Sequence, residues 1–320
     1  IHFDAGWYGY EYIVGSDASK VNVDPRRNPV NDLDIKEVIR YAGEKGIGVF
    51  LYVNQRALYK QLDEILPLYK EWGVKGIKFG FVHVGSQHWT TWMHEAVKKC
   101  AKYNLMVDIH DEYRPTGFSR TYPNLLTQEG VRGNEEMPEA TNSTVLPFTR
   151  FVAGAADHTI CYYHQNGIKP NLARYMKTTS GHQLALAVIF YSPLQFMYWY
   201  DKPSDIQDEP ELEFFDKVPV VWDDTKVIHD EIGQFATIAR RSGNDWFVGT
   251  VTNTEAREVD LSLNFLEKGR KYDATIYSDN PTIKTRTHVQ IRKMTVTSET
   301  ILKFNLNASG GQAIRIVPKN

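Results

Sequence analysis

Short apolar runs alternate with helix-spaced apolar positions through the first two-thirds of the chain. One helix-spaced set recurs at i, i+3, i+4 and i+7, in Ile35, Val38, Ile39 and Ala42. Asn31 and Asp32 precede this set as capping candidates, and Gly46 follows it as a stop signal. A second helix is predicted over Leu58–Tyr69, with Gly73 as its stop signal, and a third over Gln87–Lys102. Strands are predicted at Ile1–Asp4, Gly48–Val53, Val74–Val82 and Leu105–His110.

Strands that alternate with helices of this length predict parallel βαβ units. The spacing fits either a doubly wound sheet or a (β/α)8 barrel. No GxGxxG motif follows the first strand, so the dinucleotide-binding form of the doubly wound sheet has no support. Asn171–Tyr191 adds a longer segment of helical spacing.

The pattern changes from about Phe235 onward. Alternating apolar and polar positions, with Gly, Asn and Asp between them, predict an antiparallel β-sandwich. We therefore expect two domains, an α/β domain over residues 1–234 and a β-sandwich over residues 235–320.

Charge and composition narrow the class of protein. The 37 Lys and Arg against 39 Asp and Glu give a formal charge of −2, so no basic excess favours a nucleic-acid partner. No apolar run approaches the roughly 20 residues of a membrane span. Two cysteines, Cys100 and Cys161, do not make a disulfide framework. The chain begins inside an apolar run without Met, so we expect it to be the C-terminal portion of a longer protein.

Polar side chains at the carboxyl ends of barrel strands face the active site, which makes strand ends the place to look for chemistry. The candidates are Asp4, Trp7, Asn54, Lys78, His110, Asp111, Arg114, Glu129, Glu135 and Glu136. Converging carboxylates serve glycosyl transfer as an acid and a nucleophile or base, or they hold a cation such as Ca²⁺. The alternative is that Glu135 and Glu136 are solvated loop charges. Lys78 either binds a sugar hydroxyl or anchors a carboxylate, and His110 is either a ligand or a hydrogen-bonded structural residue.

The segment from Asp108 to Arg150, IHDEYRPTGFSRTYPNLLTQEGVRGNEE followed by LPFTR, resembles glycoside hydrolase family 97, as does YSPLQ at Tyr191–Gln195. The resemblance implies a (β/α)8 barrel whose first strand is missing from this chain, followed by a C-terminal β-sandwich. It also implies a further N-terminal domain as a partner of the barrel, a periplasmic or secreted bacterial location, and an α-galactoside substrate.

Residue roles follow from the same resemblance. The Arg132-Gly133-Asn134-Glu135 motif matches the family's general acid, which assigns that role to Glu135. Calcium is implied as the cofactor, with Asp111, Glu129 and Glu135 as ligands. Substrate contacts are expected from a set that surrounds this segment, namely Asp4, Trp7, Lys78, His110 and Arg114.

Two positions bear on the mechanism. Inverting members of the family carry a base Glu after the third strand, where this sequence has Asn54. Retaining members carry an Asp nucleophile in the fourth strand, where this sequence has Gly80. Three explanations are open: an inverting enzyme with Asp111 as base, a non-catalytic sugar-binding barrel, and a retaining α-galactosidase whose nucleophile is replaced by Gly80 and whose hydrolysis is impaired.

We favour the third explanation, because the surrounding pocket residues are intact. It carries the expectation of an empty, carboxylate-sized cavity beside Gly80.

Overall fold

A computed structural model describes residues 1–162, 175–198, 201, 204, 206–207 and 209–319. The chain divides into two compact units, Ile1–Gly130 and Val131–Asn320. Among the described residues, no helix has both the length and the apolar character that a membrane crossing requires.

Unit 1 is a parallel sheet with helices between its strands. The strands are β1 (His2–Phe3), β2 (Phe50–Asn54), β3 (Gly76–Gly80), β4 (Met106–Ile109) and β5 (Leu125–Gln128), and the helices are α1 (Ile35–Glu44), α2 (Gln55–Trp72) and α3 (Gln87–Lys102). The strands lie side by side in chain order, β1-β2-β3-β4-β5. A doubly wound sheet reverses its order at a switch point, so this sequential order is that of a barrel wall.

Local sequence sets the ends of these helices. The Asn54 side chain caps α2 by accepting the Arg56 N–H at 3.0 Å, and Gly73 ends α2 in the left-handed conformation at φ 86°. The cap of α1 differs from the prediction: Asp34, rather than Asn31 or Asp32, accepts the Glu37 N–H. With Asp34 as the cap, Ile35 is the first residue of the helix, so the apolar face starts in the first turn.

Unit 2 combines short helices with an antiparallel sandwich. Its helices are α4 (Ala140–Val145), α5 (Ser180–Ile189) and α6 (Glu213–Lys217), and its strands are β6 (Asp224–Glu231), β7 (Phe235–Ser242), β8 (Asp245–Thr252), β9 (Arg257–Ser262), β10 (Tyr272–Asp279), β11 (Val289–Val296), β12 (Ile301–Leu306) and β13 (Gly311–Pro318). One sheet has the order β11-β10-β13-β8-β7-β6, and β12 pairs with β9 in a second sheet.

Apolar side chains from both sheets share one core, in which Leu261 and Leu302 meet Val248 and Ile314. The predicted class, a parallel α/β sheet followed by an antiparallel β-sandwich, is confirmed. The antiparallel pairing begins at β6, ahead of Phe235, because β6 pairs along most of β7.

Helix α5 is buried on every side and packs in a second core with residues of the six-stranded sheet. Thr179 caps it, and the buried carboxylate of Asp279 accepts the Gly181 N–H at 2.9 Å and the Thr179 hydroxyl at 2.6 Å. Burial raises the pKa of Asp279 above its ordinary value, with these hydrogen bonds opposing the shift. Of the predicted helical segment Asn171–Tyr191, the structure forms a helix over Ser180–Ile189. Its part at Asn171–Arg174 lies outside the described residues.

Candidate active site

A cavity of about 450 Å³ lies at the carboxyl ends of β2, β3 and β4. This size suits a small ligand. Its lining residues follow directly on the strands or come from the loop after β1, and they are Tyr12, Asn54, Gln55, Arg56, Phe81, Val82, His83, Asp111 and Glu112. The placement agrees with the rule that barrel-type sheets carry their chemistry at this edge.

Asp111 is fixed in the cavity wall by contacts from two neighbouring strand ends. The Phe81 N–H donates to its Oδ2, and the Asp111 N–H donates to Oε2 of Glu129. Both Phe81 (φ 52°) and Asp111 (φ 65°) adopt the left-handed backbone region, which costs free energy for residues other than glycine. The surrounding contacts hold both residues in this conformation, and the result is a half-buried carboxylate aimed at the cavity.

His110, Asp111 and Glu129 form a cluster that has the chemistry to hold a metal ion. One ligand atom of each residue lies within 4.8 Å of the others, and His110 Nδ1 lies 3.2 Å from Glu129 Oε2. The two carboxylates are the hard oxygen donors that Ca²⁺ prefers, whereas the imidazole of His110 suits softer metals better. The donor set therefore fits calcium through Asp111 and Glu129, with the His110 imidazole next to Glu129.

The expected empty space beside Gly80 is wrong. A Cβ added to Gly80 would overlap Cε2, Cζ and the hydroxyl oxygen of Tyr52. Tyr52 comes from the neighbouring strand β2, and its ring is buried. The ring fills the volume in which the sequence predicted a carboxylate-sized cavity.

Lys78 takes the second of its two predicted roles, as the anchor of a carboxylate. It lies opposite Asp108 in the β3–β4 register, with Nζ 3.7 Å from Oδ2, and both side chains are fully buried. Removing one partner of such a pair leaves an uncompensated buried charge. Lys78 thus contacts the buried carboxylate of Asp108 and is not among the residues that line the cavity.

The remaining predicted substrate contacts fall in different environments. Trp7 is 3% exposed and donates its indole N–H to the Tyr52 carbonyl at 2.8 Å, with Tyr8, Tyr69 and Trp72 around its ring. Its only polar atom is therefore used by the backbone, which gives Trp7 a structural role in this unit. Asp4 directly follows β1 and Arg114 follows the β4 end, and both side chains are exposed.

Glu135 lies in unit 2, in a 3₁₀ turn over Asn134–Glu136. The preceding Asn134 is buried, donates its backbone N–H to the His158 carbonyl at 3.1 Å and its side-chain N–H to Gln183 Oε1 at 2.8 Å. Gln183 belongs to the buried helix α5, so the turn is attached to the core of the unit. Glu135 itself is half-buried, and Glu136 is exposed.

The buried His158, near this turn, is expected to make the stability of the fold sensitive to acid. Its imidazole is fully buried, and neither ring nitrogen has a hydrogen-bond partner among the residues that the structure describes. Burial lowers the pKa of His158 to about 3, with the nearby Asp157 opposing the shift. Because the unfolded chain binds this proton near pH 6.5 and the folded chain does not, stability is full above pH 6.5 and falls on acidification.

Because of His158, we expect the free energy of unfolding to fall by on the order of 2–4 kcal/mol when the pH is lowered from 7 to 4. Thermal unfolding across that range should show a smaller acid loss in His158→Gln than in the wild type. The exposed His88 gives a matched His88→Gln control, which should leave the pH profile unchanged. An unaltered acid loss in His158→Gln would contradict the assignment.

Sequence reasoning missed several residues of the cavity. Gln55, Arg56, Val82, His83 and Glu112 each lie one to three positions beyond a strand end, so a wider window on the strand-end rule would have found them. Tyr12 lies in the long connection after β1 and carries no comparable signal. Burial and the charges of Glu11 and Asp111 raise the pKa of Tyr12 to about 12, which keeps its phenol neutral.

The fold is a barrel-type parallel sheet followed by a β-sandwich, with a cavity at the strand ends, and the chain belongs to glycoside hydrolase family 97. The family described as "Glycoside hydrolase 97" matches residues 1–131, and "Glycosyl-hydrolase 97 C-terminal, oligomerisation" matches residues 221–317. The resemblance inferred from the Asp108–Arg150 segment is confirmed at the level of the family.

Two curated relatives are named as α-galactosidases. A "Retaining alpha-galactosidase" of Bacteroides thetaiotaomicron is 32% identical over 322 residues, covering 96% of this chain and 48% of the relative. A "Probable retaining alpha-galactosidase" of Streptomyces bingchenggensis is 32% identical over 270 residues, covering 81% of this chain and 39% of the relative. The chain thus spans about half the length of the curated relatives it matches.

Solved structures agree with the family. A Glycoside Hydrolase Family 97 enzyme from Pseudoalteromonas sp. strain K8, in complex with acarbose, superimposes with a TM-score of 0.80 at 30% identity, covering 90% of this chain and 49% of that one. A β-arabinopyranosidase superimposes with a TM-score of 0.77 at 22% identity and supports the fold alone.

Proposed function

We propose that the protein is an exo-acting glycosidase that hydrolyses terminal α-galactosidic bonds. The observation that carries this proposal is the Asp111 carboxylate in the wall of a sugar-sized cavity at the strand ends. The choice of α-galactosides rests on the names of the two 32% identical relatives.

The residues favour a single-displacement reaction. Asp111, the general base, takes a proton from water as that water attacks the anomeric carbon. The bond from that carbon to the leaving oxygen breaks, and Glu135, the general acid, donates a proton to this oxygen. The half-buried position of Glu135, on a turn attached to α5, suits a group that must be held in place. The product of such a reaction on an α-galactoside is β-galactose.

A second candidate is the retaining enzyme whose nucleophile is replaced by Gly80. It is favoured by the names of the relatives, and it predicts impaired hydrolysis that a small external anion restores. The Tyr52 ring beside Gly80 leaves no room for such an anion unless the ring moves. Product analysis with azide separates the two: the single-displacement proposal predicts no galactosyl azide, and the retaining candidate predicts the β-azide.

Calcium is the cofactor that we propose for this site. Asp111 and Glu129 would hold it within unit 1, and Glu135 is the further ligand implied by the family resemblance. A bound divalent cation orients carboxylates and substrate hydroxyls and supplies positive charge. The backbone N–H that Asp111 donates to Glu129 holds these two residues together without the ion.

We expect calcium to raise the midpoint of thermal unfolding. Binding to the folded state alone adds about 2.7 kcal/mol of stability at a hundredfold excess over Kd. A chelator should abolish the shift, and Glu129→Gln should reduce it because one charged ligand is lost. Glu71→Gln, at an exposed carboxylate on α2, is the matched control and should behave as wild type. An absent shift at saturating calcium, or an equal shift in Glu129→Gln, would contradict the site.

The substrate proposal is tested by turnover of aryl glycosides. The full chain should hydrolyse aryl α-galactoside with a higher kcat/KM than aryl α-glucoside. A preference for the α-glucoside would identify an inverting α-glucosidase instead. Galactose binding without turnover of either substrate would identify a non-catalytic sugar-binding barrel.

A further inference from the structure

Two aromatic rings of β2 lie over glycines of the neighbouring strand β3. A Cβ at Gly76 would overlap the ring of Phe50, and a Cβ at Gly80 would overlap the ring of Tyr52. Phe50 lies opposite Gly76 in the register, whereas Tyr52 leans two positions along the sheet, because Asn54 is the residue opposite Gly80. Neither glycine is at positive φ, so space rather than backbone conformation requires them.

Tyr52 differs from Phe50 by a buried hydroxyl whose polar neighbour is the Asn54 side chain. The Tyr52 side chain is 3% exposed, and its hydroxyl interacts with the Asn54 side chain but makes no hydrogen bond of ordinary geometry among the described residues. Leaving a buried polar group without a well-formed hydrogen bond is costly, so such a group indicates a place for a further partner. Two other buried tyrosines of unit 1 use their hydroxyls in ordinary hydrogen bonds: the Tyr69 hydroxyl donates to the Ala18 carbonyl at 2.7 Å, and the Tyr8 hydroxyl accepts the Asn54 N–H at 2.9 Å.

Asn54 supplies a second buried polar group on the same strand face. Residues 52 and 54 point to the same side of β2. The Asn54 Oδ1 is used by the Arg56 N–H, while its Nδ2 is buried, interacts with the Tyr52 hydroxyl and makes no hydrogen bond of ordinary geometry in the described part of the chain. Asn54 also lines the cavity, which connects this polar pair to the place where the sugar is proposed to bind.

We propose that Tyr52 and Gly80 are a coupled pair, in which the phenol occupies the place of a carboxylate at position 80 and, with the Asn54 amide, binds one uncharged hydroxyl oxygen at the base of the cavity. This inference rests on the proposed function for the identity of the ligand. The oxygen belongs to the sugar or to a water molecule. Either can accept a hydrogen bond from the Asn54 amide, and either can accept from or donate to the Tyr52 phenol. Tyr52 is a specificity-determining residue in this arrangement, and Gly80 is the small residue that makes room for it.

The steric half of the pair is tested by thermal unfolding, which needs no activity. Gly80→Ala should lower the unfolding midpoint by roughly 3–10 °C, because the added methyl overpacks against the ring. In a Tyr52→Leu background, Gly80→Ala should lower the unfolding midpoint much less than it does in the wild type, because the ring that the methyl would overlap is gone. The matched control is Gly76→Ala, whose cost comes from the Phe50 ring and the Met106 carbonyl and should not be recovered by Tyr52→Leu. Additive effects in the Gly80 and Tyr52 double variant would overturn the pairing, and so would a Gly80→Ala variant as stable as wild type.

The polar half is tested with Tyr52→Phe, which keeps the ring and removes the hydroxyl. We expect kcat/KM to fall roughly 3–10-fold while the unfolding midpoint stays level or rises, because the lost hydroxyl makes no hydrogen bond of ordinary geometry among the described residues. Tyr69→Phe is the matched control and should show the reverse, a lower midpoint with unchanged kcat/KM. A Tyr52→Phe variant with unchanged kcat/KM would overturn the subsite.

Monodeoxy α-galactosides identify the source of the oxygen. A Tyr52→Phe loss that vanishes for one deoxy position assigns the oxygen to that sugar hydroxyl, and an equal loss for every position assigns it to water. If the wild type fails to turn over any galactoside, the proposed function fails, while the unfolding measurements on Gly80 and Tyr52 still decide the pairing.

Discussion

Asp111→Asn is expected to lower kcat/KM for every α-galactoside by about 10²–10⁴-fold, the usual value of a general base. The substitution removes the group that we propose accepts a proton from the attacking water. It keeps a side-chain oxygen for the Phe81 N–H and leaves the backbone bond to Glu129 in place, so the local fold is preserved. Water attack is common to all substrates, and the loss should therefore be similar for good and poor leaving groups.

Glu112 provides the control for this experiment. It is the next carboxylate along the chain, it lines the same cavity and its side chain is exposed. Glu112→Gln should change kcat/KM by a few-fold at most. An Asp111→Asn variant with nearly wild-type activity, or a Glu112→Gln variant with the larger loss, would show that Asp111 is not the base.

Glu135→Gln is expected to produce a loss that depends on the leaving group. Poor leaving groups need a proton as the glycosidic bond breaks, so natural galactosides should lose about 10²–10⁴-fold in kcat/KM. Aryl galactosides with acidic phenols leave without that proton and should be nearly spared. The measurement is kcat/KM for a series of aryl α-galactosides plotted against the pKa of the phenol, with a steeper slope in Glu135→Gln than in the wild type.

The neighbouring Glu136 is the matched control, because it lies in the same 3₁₀ turn and is exposed. Glu136→Gln should leave the slope unchanged. An equal loss across all leaving groups in Glu135→Gln would contradict the acid role, and a steepened slope in Glu136→Gln would move that role to Glu136.

Much of the fold follows from hydrophobic periodicity. Helix α3 has the predicted bounds of Gln87–Lys102, and Gly73 ends α2 as its position implied. Strand-end residues were also found by rule, because the chain leaves each parallel strand at the same edge of the sheet. Asn54 and Asp111 line the cavity for this reason.

The departures from the prediction come from contacts between strands. The pairing of Lys78 with Asp108 and the packing of Tyr52 against Gly80 depend on register, which the pattern along a single strand does not specify. The sequence predicts Trp7 as a strand-end substrate contact, yet its ring packs among Tyr8, Tyr69 and Trp72. Tyr69 and Trp72 lie on α2, more than 60 positions away in the sequence, so the pattern around Trp7 does not reveal this contact. The left-handed backbone of Phe81 and Asp111 has no sequence signal either, since neither residue is glycine.

The anomeric configuration of the first sugar released tests the proposed function most directly. Proton NMR during the first minutes of aryl α-galactoside hydrolysis distinguishes the two anomers before they equilibrate in water. Single displacement with Asp111 as base and Glu135 as acid predicts β-galactose as the first product. Release of α-galactose first, or no hydrolysis at all by the full chain with calcium present, would contradict it.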